Sequence, residues 1–453
     1  MKKHLLLAFL LYMVIPATAQ KITYQKSLSA AMAAIDENHP FVFITINAGG
    51  NPHYKLKNAI ETPEVIKKIN DNCISYLAKS YDSLPAPIRH FHSDIYPVYL
   101  LVDARGNLAN ASLGISDLSE RYLTFVDKAK DRLASGQNVS AYLDRFSKGD
   151  RNAQFLRSFI SLKQSMWDFD NADLLNAYAD QLAVKAFDNY ATVMFMLRAG
   201  PIANSKAYTL TFSNRKLIDS IYKNGNRTEM SSINARMITN SLHAAIDKHD
   251  ATIAQATSNM RYQIFIKSGF RYSNVASRDM QQTMIDYYAA VKDTASYLNQ
   301  ADNFYDIYYM HIGADSIKKI DEARKLAMQK FKELRSTPPA GQTGPPHYEV
   351  TGYFKNFNPD YALNEAAWQY YLSGTTNPQH LMHAILWSKH TIAISPKSEY
   401  YDTLAHLLYR MEFYAEAVEQ QTKAVEVSKK DKANKSRTES LKKVLDKIKS
   451  RTL

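Results

Sequence analysis

The fold of this chain is decided by residues 41–53, which read FVFITINAGGNPH. Phe41 to Ile46 form a run of apolar residues, which predicts a buried strand. The glycine pair and Asn51-Pro52 that come after it are typical of a tight turn that opens a helix. The stretch therefore predicts a strand, a turn and a helix start in immediate succession.

The first residues have the three parts of a secretory signal peptide. Lys2-Lys3 precede an apolar run from Leu5 to Pro16, and Ala17-Thr18-Ala19 forms a small-residue cleavage site. We expect residues 1–19 to be removed and the mature protein to be exported, to the periplasm or the exterior of a Gram-negative type of cell. The apolar run is too short for a membrane span, and no later stretch reaches the required length.

Cysteine content and charge restrict the chemistry. Cys73 is the only cysteine, so no internal disulfide can form, and we expect it to be a small buried side chain within a strand. The formal charge of +12 falls to +10 when Lys2 and Lys3 are removed, and many of the cations lie between residues 429 and 451. Such a run is usually a solvated helix face. For an exported protein we expect an anionic envelope surface or an acidic partner, and no nucleic acid.

Residues 27–133 predict a small α/β domain with the element order αβαβββα. Pro63 is expected to kink the second helix or split it in two, and residues 103–106 predict a hairpin turn. The predicted strands are 41–46, 73–77, 98–102 and 108–113, and the predicted helices are 27–36, a segment ending near 70, and 118–133.

This order, with Pro97 directly before the strand at 98–102, resembles the thioredoxin-like fold. Residues 63–65 (PEV) and 96–103 (YPVYLLVD) are similar to exported members of that family. The resemblance implies a thioredoxin-like domain over residues 20–136, with a cis Tyr96–Pro97 bond that faces the family's C-x-x-C motif.

The family's two cysteines fall at or next to Gly49 and Pro52, where this sequence has none. Thiol exchange needs an attacking and a resolving thiol, so the resemblance implies a scaffold without that chemistry. We expect any groove that it retains to be formed by the following residues: Gly49, Gly50, Asn51, His53 and Pro97.

Residues 150–334 predict an α-helical region of packed antiparallel hairpins. Apolar residues follow helical spacing from Phe155 to Met166 and from Ile238 to Ile246, and we expect further helices at 281–297 and 316–334. A segment rich in proline and glycine, residues 335–350, predicts a loop or linker.

Residues 360–453 contain two similar segments, around Ala367-Trp368 and Leu404-Ala405, and resemble tetratricopeptide repeats. Small residues such as Ala417 allow two helices to approach closely, and a short insertion at 375–380 would lengthen the first repeat beyond the usual period of about 34 residues. A basic amphipathic helix then suits a solenoid cap. Residues 150–453 are also compatible with one helical body that carries an inserted loop.

Three parts of the sequence are candidates for binding a metal, an anion or a carboxylate group. His53, His90 and His92 would suit zinc or copper if they met, although the alternative, loop histidines on a polar surface, is favoured. The turn at 49–52 could offer backbone N–H groups to an anion, or be a turn reshaped by loss of the cysteines. In the repeats the candidate cations for an acidic or carboxylate group, which could equally be solvent-facing, are Lys389, Arg410 and Lys423.

The sequence thus predicts a multidomain chain: an N-terminal α/β thioredoxin-like fold followed by an all-α solenoid of helical hairpins and tetratricopeptide-like repeats. We expect a non-catalytic scaffold with a protein or peptide partner in the cell envelope and no cofactor. The alternative is an envelope chaperone or non-redox enzyme that uses the thioredoxin-like groove. No nucleophile, base and orienting acid stand at a recognised spacing.

Overall fold

The computed structural model describes residues 21–47, 58–93, 95–267, 273–322, 325–326, 358–430 and 435–453. The chain divides after Ala199 into two compact units. The predicted signal peptide, the turn at 48–53 and the predicted linker at 335–350 lie outside the described residues.

A mixed five-stranded sheet forms the centre of the first unit. Its strands are β1 (Tyr24–Gln25), β2 (Phe41–Ile46), β3 (Cys73–Ala78), β4 (Val98–Val102) and β5 (Leu108–Leu113). The spatial order is β1-β3-β2-β4-β5, in which β3 is parallel to both β1 and β2. β4 is antiparallel to β2 and to β5, with which it forms a hairpin. The predicted crossover and hairpin are both present.

β2 lies in the middle of this sheet because its side chains are apolar on both faces. All six of its residues are buried. Phe43 stacks on Tyr99 of β4 with ring centroids 5.8 Å apart and meets Phe125 edge-on at 6.4 Å. Helices α1 (Leu28–Ala33), α2 (Pro63–Asn72) and α3 (Ser119–Ala134) complete this α/β region. α2 and α3 share one apolar cluster with Phe43 and Tyr99.

Pro63 separates two helical segments, which is one of the two outcomes that the sequence predicted. A 3₁₀ turn at Ala59–Glu61 comes before it, and Pro63 itself is the first residue of α2. Proline is favoured at this position because its missing N–H would have no helical partner there. The predicted short helix at 27–36 and long helix at 118–133 correspond to α1 and α3.

The turn between β4 and β5 requires a glycine. Gly106 has φ of +79°, and a Cβ atom there would stand 3.0 Å from the Cβ atom of Pro85. The Asp103 carboxylate closes the turn by accepting hydrogen bonds from the backbone N–H groups of Arg105 and Asn107, each at 2.9 Å. The predicted hairpin at 103–106 is therefore confirmed.

Four further helices belong to the same compact unit as the sheet. They are α4 (Val139–Ser147), α5 (Ala153–Gln164), α6 (Ala172–Asp180) and α7 (Tyr190–Ala199). Ser140 of α4 donates a hydrogen bond to Asp103 in the hairpin turn. Arg132 of α3 donates to the Ser165 hydroxyl at 2.9 Å, just after α5. The predicted domain end at residue 136 falls just after α3, but the compact unit continues to Ala199.

All the regular elements that the structure describes in the second unit are helices. Its first helices are α8 (Lys206–Thr211), α9 (Arg215–Asn224), α10 (Arg227–Asp247), α11 (Ala251–Lys267), α12 (Ser273–Ala290), α13 (Thr294–Tyr308) and α14 (residues 314–322). From α10 to α13 each helix packs against the next, as predicted for successive hairpins.

The single helix predicted at 281–297 is instead the end of α12 and the start of α13. The chain turns at Lys292, which has φ of +60°, a left-handed conformation that ends α12. Asp293 then caps α13 by accepting a hydrogen bond from the Ser296 N–H at 3.1 Å. The prediction was wrong here because apolar helical spacing continues across the break while the capping signal is a single aspartate.

The C-terminal part contains two helical hairpins and a final helix. They are α15 (Pro359–Leu372) with α16 (Pro378–Ile394), α17 (Ser398–Arg410) with α18 (Tyr414–Lys430), and α19 (Lys435–Ser450). Each helix packs against the next, and α15 also contacts α17. Residues 373–377 connect the first hairpin and residues 411–413 the second, so part of the predicted insertion lies in the first connection. No helix among the described residues is long and apolar enough to cross a bilayer.

Candidate functional site

The Tyr96–Pro97 bond is cis, as predicted. Pro97 immediately precedes β4, and its carbonyl accepts a hydrogen bond from the Gly114 N–H at 2.8 Å, which joins the end of the hairpin to the start of β4. Its predicted neighbours Gly49, Gly50, Asn51 and His53 lie outside the described residues. A groove that they would form with Pro97 therefore stays a prediction.

Tyr81 contributes an aromatic surface beside this proline, which the sequence did not predict. Its ring stacks on exposed His92 with centroids 4.3 Å apart and lies 6.2 Å from the ring of Tyr96. The Tyr81 hydroxyl donates to the Ser93 carbonyl at 2.8 Å and accepts from the Ser93 N–H at 3.1 Å. The segment before Pro97 is thus held by one tyrosine that lies 16 residues earlier in the chain.

His90 points toward a buried carboxylate on the α5–α6 connection. Its Nε2 lies 3.1 Å from Oδ1 of Asp168, a residue only 4% exposed, and its Nδ1 lies 3.7 Å from Asp170. Lys163 Nζ lies 3.2 Å from the other oxygen of Asp168. Burial alone would raise the pKa of Asp168, but the charge of Lys163 and the hydrogen bond from His90 outweigh it and hold that pKa below its usual value.

The three histidines that the sequence offered for a metal are not brought together in the part described. His90 faces Asp168, His92 stacks on Tyr81, and His53 lies outside the described residues. Within the described ranges, no three histidine, cysteine or carboxylate side chains are arranged to hold a metal ion.

Cys73 is buried at the junction of α2 and β3. It is 4% exposed, belongs to the apolar cluster that contains Phe43 and Tyr99, and is not in a disulfide. Burial raises the pKa of the Cys73 thiol to about 12. Almost none of it is therefore thiolate near neutral pH, the form that thiol exchange requires.

A buried polar network fixes Asn58, the first described residue after the turn. Its Nδ2 donates to the Tyr99 hydroxyl at 2.9 Å, and its Oδ1 accepts from the Tyr122 hydroxyl at 2.8 Å. The Tyr122 hydroxyl also accepts from the Ser116 N–H at 3.0 Å. Burial raises the pKa of both tyrosines, so their hydroxyls are neutral hydrogen-bond donors at neutral pH.

Comparison with family models, curated proteins and solved structures gives no match to this chain.

In the second unit, helix α15 leaves one face to solvent. Tyr361 is 54% exposed and Leu372 is 57% exposed, and the partly exposed side chains of Glu365 and Trp368 lie between them at helical spacing. We call these four residues the α15 face. Two large side chains exposed by more than half on one helix are available for contact with another molecule.

An aromatic cluster joins the α15 face to α17. Trp368 stacks on Tyr371 with centroids 5.0 Å apart, and the ring of His406 stands edge-on to both, at 5.1 Å and 4.9 Å. The guanidinium of Arg410 lies 4.2 Å above the Tyr371 ring and donates a hydrogen bond to the Tyr371 carbonyl. The cluster packs Trp368 of the α15 face against α17 of the second hairpin.

The three cations predicted to bind a carboxylate have different surroundings. Arg410 already binds the ring and carbonyl of Tyr371. Lys423 forms an ion pair with Glu419, four residues earlier in α18, at 2.6 Å. Lys389 is exposed on α16 and forms no ion pair with the residues that the structure describes. The three do not converge on one site in any contact among the described residues.

Helices α13 and α16 meet along a polar seam that the sequence analysis missed. Asp302 accepts from the Tyr370 hydroxyl at 2.7 Å and lies 2.8 Å from His380 Nδ1. Asp306 accepts from Trp387 Nε1 at 2.7 Å. The sequence does show two aspartates spaced by four residues and, on α16, histidines and a tryptophan at helical spacing. The aspartates and the α16 residues lie about 80 residues apart and share no local motif, so their contact could not be predicted.

A second buried carboxylate ties α15 to the start of α17. Asp360 is 1% exposed, and one of its oxygens is bound by Lys397 at 2.7 Å and by the Tyr400 hydroxyl at 2.9 Å. Burial opposes ionisation, but the hydrogen bonds from Lys397 and Tyr400 outweigh it and lower the pKa of Asp360. Like Asp168 in the first unit, this carboxylate serves packing between elements.

Proposed function

We propose that this chain is a non-catalytic interaction protein of the cell envelope. It combines a thioredoxin-like domain that lacks redox cysteines with tetratricopeptide-like hairpins that bind a protein or peptide. The observation that carries the proposal is the α15 face, where Tyr361 and Leu372 are each more than half exposed on a helix whose other side is buried.

The thioredoxin-like assignment is supported by the elements around Pro97. A parallel crossover connects β2 to β3 through α2, and an antiparallel hairpin follows with the cis proline at its start. These are the elements that the resemblance implied for residues 27–133. The assignment to this family is inferred from that order together with the sequence match.

The absence of thiol chemistry follows from Cys73. It is the only cysteine of the chain, it is buried, and burial raises its pKa to about 12. A disulfide exchange cycle needs an accessible thiolate and a second thiol. Neither requirement is met, so we assign the domain a structural role.

The repeat assignment is supported by small residues at helix crossings. Ala405 in α17 and Ala417 and Ala424 in α18 are fully buried, as is Ala367 at the equivalent position of α15. Small side chains at these places allow neighbouring helices to approach closely. Stacked hairpins of this kind present extended surfaces that bind segments of other proteins.

Aromatic side chains that are exposed but held rigidly are typical of protein interfaces. They offer large contact area at a small loss of conformational entropy, and interface cores are enriched in tyrosine, tryptophan and arginine. The α15 face contains two aromatic residues of this kind, Tyr361 and Trp368. Trp368 packs on Tyr371 and His406, while Tyr361 and Leu372 stay accessible. We therefore place the partner on α15 and not on the three lysine and arginine residues predicted from the sequence.

The proposal is tested by affinity capture from envelope extract with three forms of the full-length protein. One is the natural sequence, one carries Tyr361→Ala with Leu372→Ala, and the matched control carries Met382→Ala with Leu386→Ala. The control residues are 44% and 47% exposed on α16 of the same hairpin. We expect the specific partner to be lost from the α15 variant and kept by the control. Equal capture by all three forms would remove the α15 face from the proposal.

A further inference from the structure

Helix α19 has a buried apolar face and, on its opposite side, an exposed basic face. Leu441 and Ile448 are buried, Leu441 in a cluster with Ala424 and Val425 of α18, and Ile448 in the main apolar cluster of the hairpins. The opposite side carries only polar and charged residues. α19 is therefore anchored on the last hairpin and presents its charged side to solvent.

Most of the cations on this side are not neutralised by the chain. Arg437 pairs with Glu399 at 3.7 Å and Lys442 with Glu439 at 2.6 Å. The remaining lysines are all exposed and form no ion pair with any residue that the structure describes. We call them the α19 basic face, and they are Lys435, Lys443, Lys447 and Lys449.

The positive charge is local to this end of the chain. Ten lysines and arginines and only three acidic residues lie in residues 429–453, which is more than half of the net charge of +12. The exposed acids of the preceding helix, Glu416, Glu419 and Glu426, show that the neighbouring surface does not share this character. The charge asymmetry is thus a property of α19 and the end of α18.

We infer that the α19 basic face binds the anionic phospholipid headgroups of a membrane surface. A 16-residue helix is about 24 Å long, so its lysines form a row that can lie along a flat charged surface. Among them stand Ser436, Ser440 and the exposed acids Glu439 and Asp446, so six cations face two acids in residues 435–450, and no aromatic residue occurs in 435–453. The face therefore adsorbs through charge, without inserting apolar side chains into the bilayer.

A nucleic acid is the other polyanion that such a face could meet, and the composition argues against it. Single-strand binding surfaces add aromatic side chains on which bases stack, and α19 supplies none. A lipid surface needs only charges within about one Debye length, roughly 10 Å, of the headgroups. This inference does not depend on which partner occupies the α15 face.

The test measures binding of the full-length protein to phosphatidylcholine vesicles with and without phosphatidylglycerol, by co-sedimentation at low salt. The first variant carries Lys443→Gln, Lys447→Gln and Lys449→Gln. The matched control carries Lys216→Gln, Lys223→Gln and Lys248→Gln, which removes the same charge from exposed positions elsewhere in the second unit. At about 1 kcal/mol for each lysine near the surface, the first variant should lose about a hundredfold in affinity, and the control less than about threefold.

Binding should require phosphatidylglycerol and weaken as salt is raised. Equal losses in the two variants would show that net charge alone is responsible and would overturn the assignment to α19. Absence of binding to anionic vesicles at low salt would also overturn it. Tighter binding to a DNA oligonucleotide, lost in the first variant, would assign the face to nucleic acid and contradict the lipid proposal.

Discussion

The polar side chains near β4 are bound by other residues of the chain, whereas large apolar side chains on α15 are exposed to solvent. Beside β4, His90, Asp168, Tyr99 and Tyr122 all bind other residues of the first unit. On α15, two large side chains remain more than half exposed. The polar groups of the first region are bound within the chain, whereas the exposed side chains of the second are the ones that we propose as an interface.

The largest effect should come from the centre of the sheet. Phe43→Ala removes a fully buried ring that packs on Tyr99 and Phe125, so the free energy of unfolding of the first unit should fall by about 3–5 kcal/mol. Chemical denaturation followed by circular dichroism measures this change. Leu118→Ala, at a residue 53% exposed in the same unit, is the control and should change stability by less than about 0.5 kcal/mol.

A slightly smaller effect should come from the buried carboxylate that holds His90. Asp168→Asn leaves Lys163 near an uncharged group in a buried place and should lower the free energy of unfolding by about 3 kcal/mol. Asp144→Asn breaks a half-exposed ion pair with Arg105 and should cost less than about 1 kcal/mol. Equal effects of the two changes would contradict a structural role for the buried cluster.

The contribution of ionised Asp168 to the free energy of unfolding depends on pH, and the lowered pKa fixes the direction of that dependence. Because the folded protein holds the pKa of Asp168 below its ordinary value of 3.8, the unfolded chain binds the proton more tightly. The contribution is present above that value and is lost as pH falls through the folded pKa. Unfolding measured against pH should therefore show a stability difference between the natural sequence and Asp168→Asn that is constant near neutrality and shrinks below pH 3.8.

The hydrogen bond from Tyr400 to Asp360 in the C-terminal hairpins is expected to contribute less to stability than the contacts of Asp168. Tyr400→Phe removes one donor to Asp360 and keeps Lys397, so we expect a loss of about 1–2 kcal/mol. Tyr401→Phe, at the next residue of α17, is the control, because it leaves the bonds to Asp360 intact. Because both variants keep the ring and lose only a hydroxyl, an equal loss would mean that the Tyr400 bond to Asp360 adds nothing specific to stability.

The smallest change tests the absence of thiol chemistry. Cys73→Ala should lower stability by about 1 kcal/mol, as expected when one small buried group is removed. In the natural sequence, Cys73 should react with a thiol reagent at neutral pH only as fast as the first unit unfolds. Rapid labelling of the folded protein would show an accessible thiolate and contradict the burial of this side chain.

Much of the sheet could be predicted because its signal is local. The continuous apolar runs at 41–46 and 98–102 can be buried only as central strands, and they were predicted with the observed limits. β1 was missed because Tyr24 and Gln25 are exposed and too few to form a pattern. The break at Lys292 was missed because apolar spacing continues through it.

The polar contacts could not be predicted for a different reason. His90 and Asp168 lie 78 residues apart, as do His380 and Asp302, and no spacing rule relates them. Such pairs become visible only when the topology brings the elements together. Arg410 is, from the sequence, a candidate cation for a carboxylate group or a solvent-facing residue, whereas in the structure Tyr371, 39 residues earlier, binds it.

The most direct measurement is site-specific photo-cross-linking of the full-length protein in intact cells. A photoreactive phenylalanine derivative replaces Tyr361, Leu372, Met382 or His92 in turn. Tyr361 and Leu372 represent the α15 face, Met382 the other helix of the same hairpin, and His92 the surface beside Pro97. We expect one protein partner to be cross-linked from positions 361 and 372 and not from 382 or 92. Cross-links from position 92 alone would place binding at the surface beside Pro97 and contradict an interface on α15.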